Sequence, residues 1–160
     1  MVREATQKGW WHTWGLSNAG FLGLETDAAV VHDYQLSYVP GLLQPADYVR
    51  ALFRGSPPPR TEAEIDRIVQ VRLFRQHRLT EDPPLKLVTV VDETVLRRPI
   101  GGAEVMRDQL RHLMRQTALP SVCFQVLPVS VGVHQGMNGS FPALGFTEPN
   151  EPAVAYGPRH

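Results

Sequence analysis

Cysteine, lysine, net charge and long apolar runs are what this chain of 160 residues has least of. Cys123 is the only cysteine, so no internal disulfide can form, and a reducing cytoplasm fits. No apolar run approaches the roughly 20 residues that a membrane-spanning helix needs. The N-terminus has no apolar core followed by a small-residue cleavage site, so it reads as no secretion signal. The 16 basic and 16 acidic residues cancel. A balanced chain lacks the basic face of a nucleic-acid module, so direct nucleic-acid binding is not expected. Neutrality also removes charge repulsion between copies, which leaves a homodimer open. The six histidines show no zinc-ligand spacing, and one cysteine cannot complete such a set. Neither metal nor cofactor is expected. There is no Gly-x-Ser-x-Gly elbow, and the glycine-rich loop at 130–140 lacks the Gly-Lys-Ser/Thr end of a phosphate-binding loop.

What is present is one domain's worth of sequence, 42% hydrophobic. Residues 1–24 read as an aromatic-rich helical lead-in carrying Trp10, Trp11 and Trp14, residues 25–156 as the core, and 157–160 as a tail. The three tryptophans cap a core edge or form a docking surface, for a protein partner or for a second copy. The β-branched and aromatic stretch from Ala28 to Tyr38 predicts a strand, which the Pro40-Gly41 turn ends. In that turn Pro40 fixes its own φ and Gly41 can take a φ that other residues avoid. A short helix is expected over 46–53.

The clearest helix spans 61–79. Thr61 and Glu64 stand at capping-box spacing, and acidic residues open the helix while basic ones close it. Its expected buried stripe is Ile65, Ile68, Val69 and Leu73. Pro83-Pro84 stops it. The apolar run at 85–91 predicts an interior strand, 103–117 a helix with Met106, Leu110, Leu113 and Thr117 on one face, and 122–128 a second parallel strand. A further strand follows at 141–146, with an edge strand expected at 153–156. The order helix, strand, helix, helix, strand, helix, strand, strand indicates an α+β or α/β fold: a small mixed sheet packed by about four helices.

Four groups carry candidate chemistry. Asp92 and Glu93 stand at a strand's carboxyl end, where α/β sheets often place ligands, though adjacent strand residues point to opposite faces. An ion pair with Arg97, Arg98 or the arginine-rich helix at 61–79 is the plainer reading of them. Arg67, Arg72, Arg75, His77 and Arg78 could hold an anionic ligand or an acidic partner through guanidinium forks, or form a solvated helix face. His134 lies in a loop that Gly136 and Gly139 could hinge over a ligand. Cys123, inside an apolar strand, reads as an inert core thiol.

Several short motifs recur in a fixed order: Trp10-Trp11, Val39-Pro40-Gly41-Leu42-Leu43-Gln44 with Tyr48, Val71-Arg72 with Arg75-Gln76, and Val91-Asp92-Glu93 with Leu96-Arg97-Arg98. Gly101-Gly102 with Gln109-Leu110, Val126-Leu127-Pro128, His134 and the late Val154 and Tyr156 continue it. Together they resemble the C-terminal domain of unknown function of actinobacterial helix-turn-helix regulators of the xenobiotic-response-element, antitoxin-like type. In those regulators a DNA-binding domain precedes this region, and a further strand and helix usually follow it. This chain begins at Met1 and stops at His160, so it reads as a fragment or as a stand-alone relative. The resemblance implies a sensor domain that binds a small-molecule effector or a protein partner, and the residues read above as candidates for that contact are Arg72, Arg75, His134, Trp10, Trp11 and Trp14, in a cytoplasmic protein. The alternative is a stand-alone biosynthetic enzyme with Asp92, Glu93 and His134 as acid–base residues. The residues themselves lean away from an enzyme, because no catalytic constellation stands out.

Overall fold

The computed structural model describes residues 27–146 and 154–155. Five strands form one mixed sheet: β1 (Val30–Gln35), β2 (Lys86–Asp92), β3 (Val122–Leu127), β4 (Phe141–Gly145) and β5 (Val154–Ala155), ordered β3-β2-β1-β4-β5. β1, β2 and β3 run parallel, while β4 is antiparallel to β1 and β5 to β4. Four α-helices occur among the described residues: α1 (Ala46–Arg54), α2 (Glu62–Gln76), α3 (Glu93–Arg97) and α4 (Gly102–Gln116). The fold is α+β with a mixed sheet. The lead-in at 1–24, including Trp10, Trp11 and Trp14, lies outside the described residues, as does the tail at 157–160.

Strand order explains where the core sits. Successive parallel strands β1, β2 and β3 step one way across the sheet. Crossovers of one hand then deliver their helices to one face. That face carries Val31, Leu87, Val91, Val122 and Leu144, packed with Tyr48 and Leu52 of α1, Val95 of α3, and Met106 and Leu113 of α4. The register aligns Val31 with Leu87 and Leu144, and Leu87 with Val122, so the row is continuous across four strands. A second small cluster, Val49, Ile65 and Val69, seats α2 on α1.

The α2 start forms as its residues dictate. The Thr61 hydroxyl accepts from the Glu64 N–H at 3.3 Å, and the Glu64 carboxylate accepts from the Thr61 N–H at 2.7 Å, the reciprocal capping box. Its buried stripe differs from expectation. Ile65, Val69 and Val71 are buried, whereas Leu73 is exposed, because Arg72 and Gln76 turn inward to the 40–44 turn. On α4, Gln109 rather than Thr117 completes the buried face with Met106 and Leu113, and Thr117 is exposed. The chain also forms α3 directly after β2, where the sequence pattern suggested only a strand end. Asp92 caps it by accepting from the Thr94 N–H at 2.9 Å.

The turn from Val39 to Gln44 is the polar centre of the helical layer. Gln44 is buried; its amide N–H donates to the Val39 carbonyl at 2.5 Å, and its amide oxygen accepts from Arg72 at 2.6 Å. The Gln76 amide donates to the Gln44 carbonyl at 2.7 Å, and the Gln109 amide to the Leu43 carbonyl at 2.8 Å. α2 and α4 therefore satisfy carbonyls of a buried turn that has no ladder partner, as buried backbone requires. Gly41 serves this arrangement by size. Its φ is not among the positive ones, but a Cβ there would lie 2.8 Å from the Arg72 guanidinium.

Candidate ligand site at the ends of the parallel strands

On the sheet face away from the helices, alternate residues are His32 and Tyr34 of β1, Val88, Val90 and Asp92 of β2, Cys123 and Gln125 of β3, and Phe141 and Ala143 of β4. Cys123 is exposed, not an inert core thiol. The strand assignment was right, but among the described residues β3 is a sheet edge and no helix covers this side of it.

The segment after β3 returns over the carboxyl ends of β1 and β2 through two single 3₁₀ turns, Val129–Val131 and Gln135–Asn138. Its start is held by Glu93, whose carboxylate accepts from the Val129 N–H at 2.9 Å and pairs with Arg97 at 2.5 Å. The expected Glu93–Arg97 pairing is therefore present, and Glu93 is committed to holding structure. Gly136 rests directly on the Tyr34 ring, where a Cβ would fall 2.6 Å from the nearest ring carbon. His134 meets Tyr34 edge-on with ring centroids 6.2 Å apart, and Phe141 lies 5.8 Å from Tyr34 on its neighbouring strand. These residues, with Gln135 and Asn138, line an open cavity of about 660 Å³.

Two polar features mark the cavity. The Tyr34 hydroxyl is buried and has no hydrogen-bond partner among the described residues. Burial pushes the phenol pKa up, and the nearby Asp92 charge pushes it the same way. The Asp92 carboxyl is held below its usual range, first by the Thr94 hydroxyl and backbone N–H, and further by the His134 ring. Tyr34, Asp92 and His134 thus stand within electrostatic reach of one another, each from a different segment. Asp92 and His134 come together as candidate site residues; Glu93 turns away to Val129.

Arg72 and Arg75 do not join them. Arg72 bonds Gln44 and stacks on Phe53 with its guanidinium carbon 5.2 Å from the ring centroid. Arg75 and Arg78 are also engaged, Arg78 donating to the Ala28 carbonyl at 2.9 Å. The basic face of α2 is mostly structural. The sequence pointed to the loop that carries Gln135 and Asn138 but not to Tyr34 or Phe141. Tyr34 read as one aromatic strand residue among several, and only the fold-back of the loop singles it out.

Among the described residues no group of three or more histidine, cysteine or acidic side chains is placed to hold a metal ion, and no helix is long and apolar enough to cross a membrane. A family model described as Domain of unknown function (DUF5753) matches residues 19–158. The chain belongs to this family. No curated protein and no solved structure matches it. The DUF5753 match spans both the buried Val39–Gln44 turn and the Tyr34–His134 site.

Proposed function

We propose that this DUF5753 domain is the effector-binding module of a cytoplasmic transcriptional regulator of the helix-turn-helix, antitoxin-like type. A small molecule binds over Tyr34, and its presence is relayed to a partner or a DNA-binding domain. The observation that carries this reading is the buried Tyr34 hydroxyl, without a hydrogen-bond partner among the described residues, at the floor of an open cavity. Leaving a buried hydroxyl unpaired costs about 1–3 kcal/mol, and a ligand atom would offset that cost. The cavity stands at the carboxyl ends of parallel strands, the general position of ligands in open sheets. The loop above it supports a relay. Its inner residues His134 and Gly136 touch Tyr34, while Val131, Val133 and Met137 on the same segment are exposed. A ligand that shifts the inner side moves an apolar outer side, the kind of surface that partners recognise. The enzymatic alternative draws less support, since Glu93 is tied to Val129 and Arg97 and Asp92 caps α3.

The test is a small-molecule panel read by thermal shift and amide chemical shifts on the full chain, repeated with Tyr34→Phe. The variant is expected to fold with equal or greater stability, because it removes an unpaired buried group, and to bind its ligand at least tenfold more weakly. Unchanged affinity in Tyr34→Phe, or turnover of the bound molecule, would sink the reading. Specific DNA binding by the chain alone would also count against it.

A further inference from the structure

β3 and β5 are the outer strands of the sheet among the described residues, and a long unpaired outer strand offers peptide groups that pair readily with another strand. β3 has six residues, Val122-Cys123-Phe124-Gln125-Val126-Leu127, with no charge and no proline. Its register with β2 runs unbroken from Leu87↔Val122 to Asp92↔Leu127, so no bulge turns it aside. Among the described residues nothing pairs with its outer side.

The backbone phase of that edge can be read. Leu87 N–H donates to the Ser121 carbonyl at 2.8 Å. Peptide groups alternate along a parallel ladder, so Cys123, Gln125 and Leu127 present theirs to β2. Val122, Phe124 and Val126 present theirs outward, although the Val122 N–H is already given to the Leu119 carbonyl at 3.0 Å. The prolines that bound the strand, Pro120 and Pro128, stand four residues either side of Phe124. They share the outward phase and have no N–H to offer.

We infer that β3 pairs antiparallel with β3 of a second copy of this chain about a two-fold axis through Phe124. In this register Phe124 exchanges both hydrogen bonds with its own counterpart. The Val126 N–H of each copy donates to the Val122 carbonyl of the other, and Pro120 falls opposite Pro128, where the ladder ends on both sides. Only this register sets the prolines against each other and keeps Val122, Phe124 and Val126 paired among themselves, although the Val126 carbonyl then faces the Val122 N–H that Leu119 already takes. The axis is normal to the sheet, so like faces join. On the helical side Phe124 meets Phe124, and Val126, 41% exposed in one copy, meets Val122. On the other side Cys123 meets Gln125. Apolar residues face apolar ones, polar face polar, and with formal charge zero the copies do not repel. The strand is complementary to itself in a way that a peptide of unrelated sequence would have to imitate.

The register makes the test sharp. Cys123 and Gln125 form a non-hydrogen-bonded pair with Cα atoms about 4.5 Å apart. That lies inside the range of a disulfide, whereas Cys123 and its own counterpart are diagonal, about 7–8 Å apart, and outside it. In the full-length chain, Gln125→Cys with Cys123 retained is expected to yield a reducible covalent dimer on mild oxidation. It should form at least tenfold faster than in the unsubstituted chain. A second variant, Val126→Lys, places a charge on the edge, and light scattering should show dimer affinity lowered at least tenfold with circular dichroism unchanged. A protein that stays monomeric at the highest concentration it reaches overturns the inference. So does a dimer that resists Val126→Lys, or whose Gln125→Cys variant cross-links no faster than the unsubstituted chain, since either marks another interface. Pairing that appears only on adding an unrelated β-strand peptide overturns it too.

Discussion

Replacing Gln44 by alanine should be among the most damaging single changes in the domain, although Gln44 carries no charge and stands apart from the Tyr34–His134 cavity. Its side chain is 1% exposed and makes two hydrogen bonds, to the Val39 carbonyl at 2.5 Å and from Arg72 at 2.6 Å. A neutral hydrogen bond nets about 1 kcal/mol, and one to a charged group about 1.5–3 kcal/mol. The deletion also leaves a cavity in a packed layer, which adds to the loss. Arg72 keeps its contact with Phe53 and so is not wholly stranded. The expected cost is about 3–5 kcal/mol, against a total stability of about 5–15 kcal/mol for a typical domain. Urea unfolding should show it as a midpoint lowered by roughly 1.5–2.5 M with the slope unchanged. Gln44→Glu separates the two bonds. It keeps an acceptor for Arg72 but sets a carboxylate oxygen against the Val39 carbonyl, so it should cost less than alanine yet still destabilise. By contrast, Glu62→Ala removes the exposed bidentate pair with Arg54 and should have no effect outside measurement error. A loss below about 1 kcal/mol for Gln44→Ala would refute the idea that this turn is held by buried side chains.

Three other outcomes follow from the same structure. Gly136→Ala drives a Cβ into the Tyr34 ring and should displace the loop, seen as faster hydrogen exchange over residues 130–139 and a shifted Tyr34 signal; unchanged exchange would mean the loop does not rest on that ring. Glu93→Ala removes the acceptor for the Val129 N–H, so protection should fall at the start of the same loop while the global unfolding midpoint moves little. Burial, and then Arg115, lowers the His112 pKa, so below the ordinary histidine range the unfolded chain takes up a proton that the folded chain refuses. Stability should therefore fall as pH drops through the ordinary value towards the lower folded one, and His112→Gln should flatten that part of the curve; an unaltered slope would remove His112 as its cause.

Local order was largely legible. Helices 61–79 and 103–117, and the strands at 85–91, 122–128 and 141–146, follow from periodicity, proline stops and a capping box, all of which act within a few residues. The crossover length between the second and third strands suggested parallel pairing. What went unread depends on distant partners. Leu73 belongs to an amphipathic stripe by spacing, yet Arg72 and Gln76 win the inward position because the buried 40–44 turn needs donors. Cys123 sits in an apolar run, yet is exposed because its strand is an edge whose second face meets no helix among the described residues. Gly41 looked like a φ requirement and proved to be a clearance requirement for Arg72.

The candidate site divides along the same line. Asp92 and His134 could be named from a strand end and a glycine-rich loop, but nothing local joins them, since 41 intervening residues fold into a crossover. Only the return of that loop over the strand ends brings His134 and Gly136 onto Tyr34 and sets His134 within electrostatic reach of Asp92. By itself the sequence determined the elements and their order, because hydrogen bonding, capping and apolar period are local. The tertiary structure alone decided which face of each element is buried and which polar groups are left without partners, because those are settled by strand order and by contacts between residues far apart in the chain.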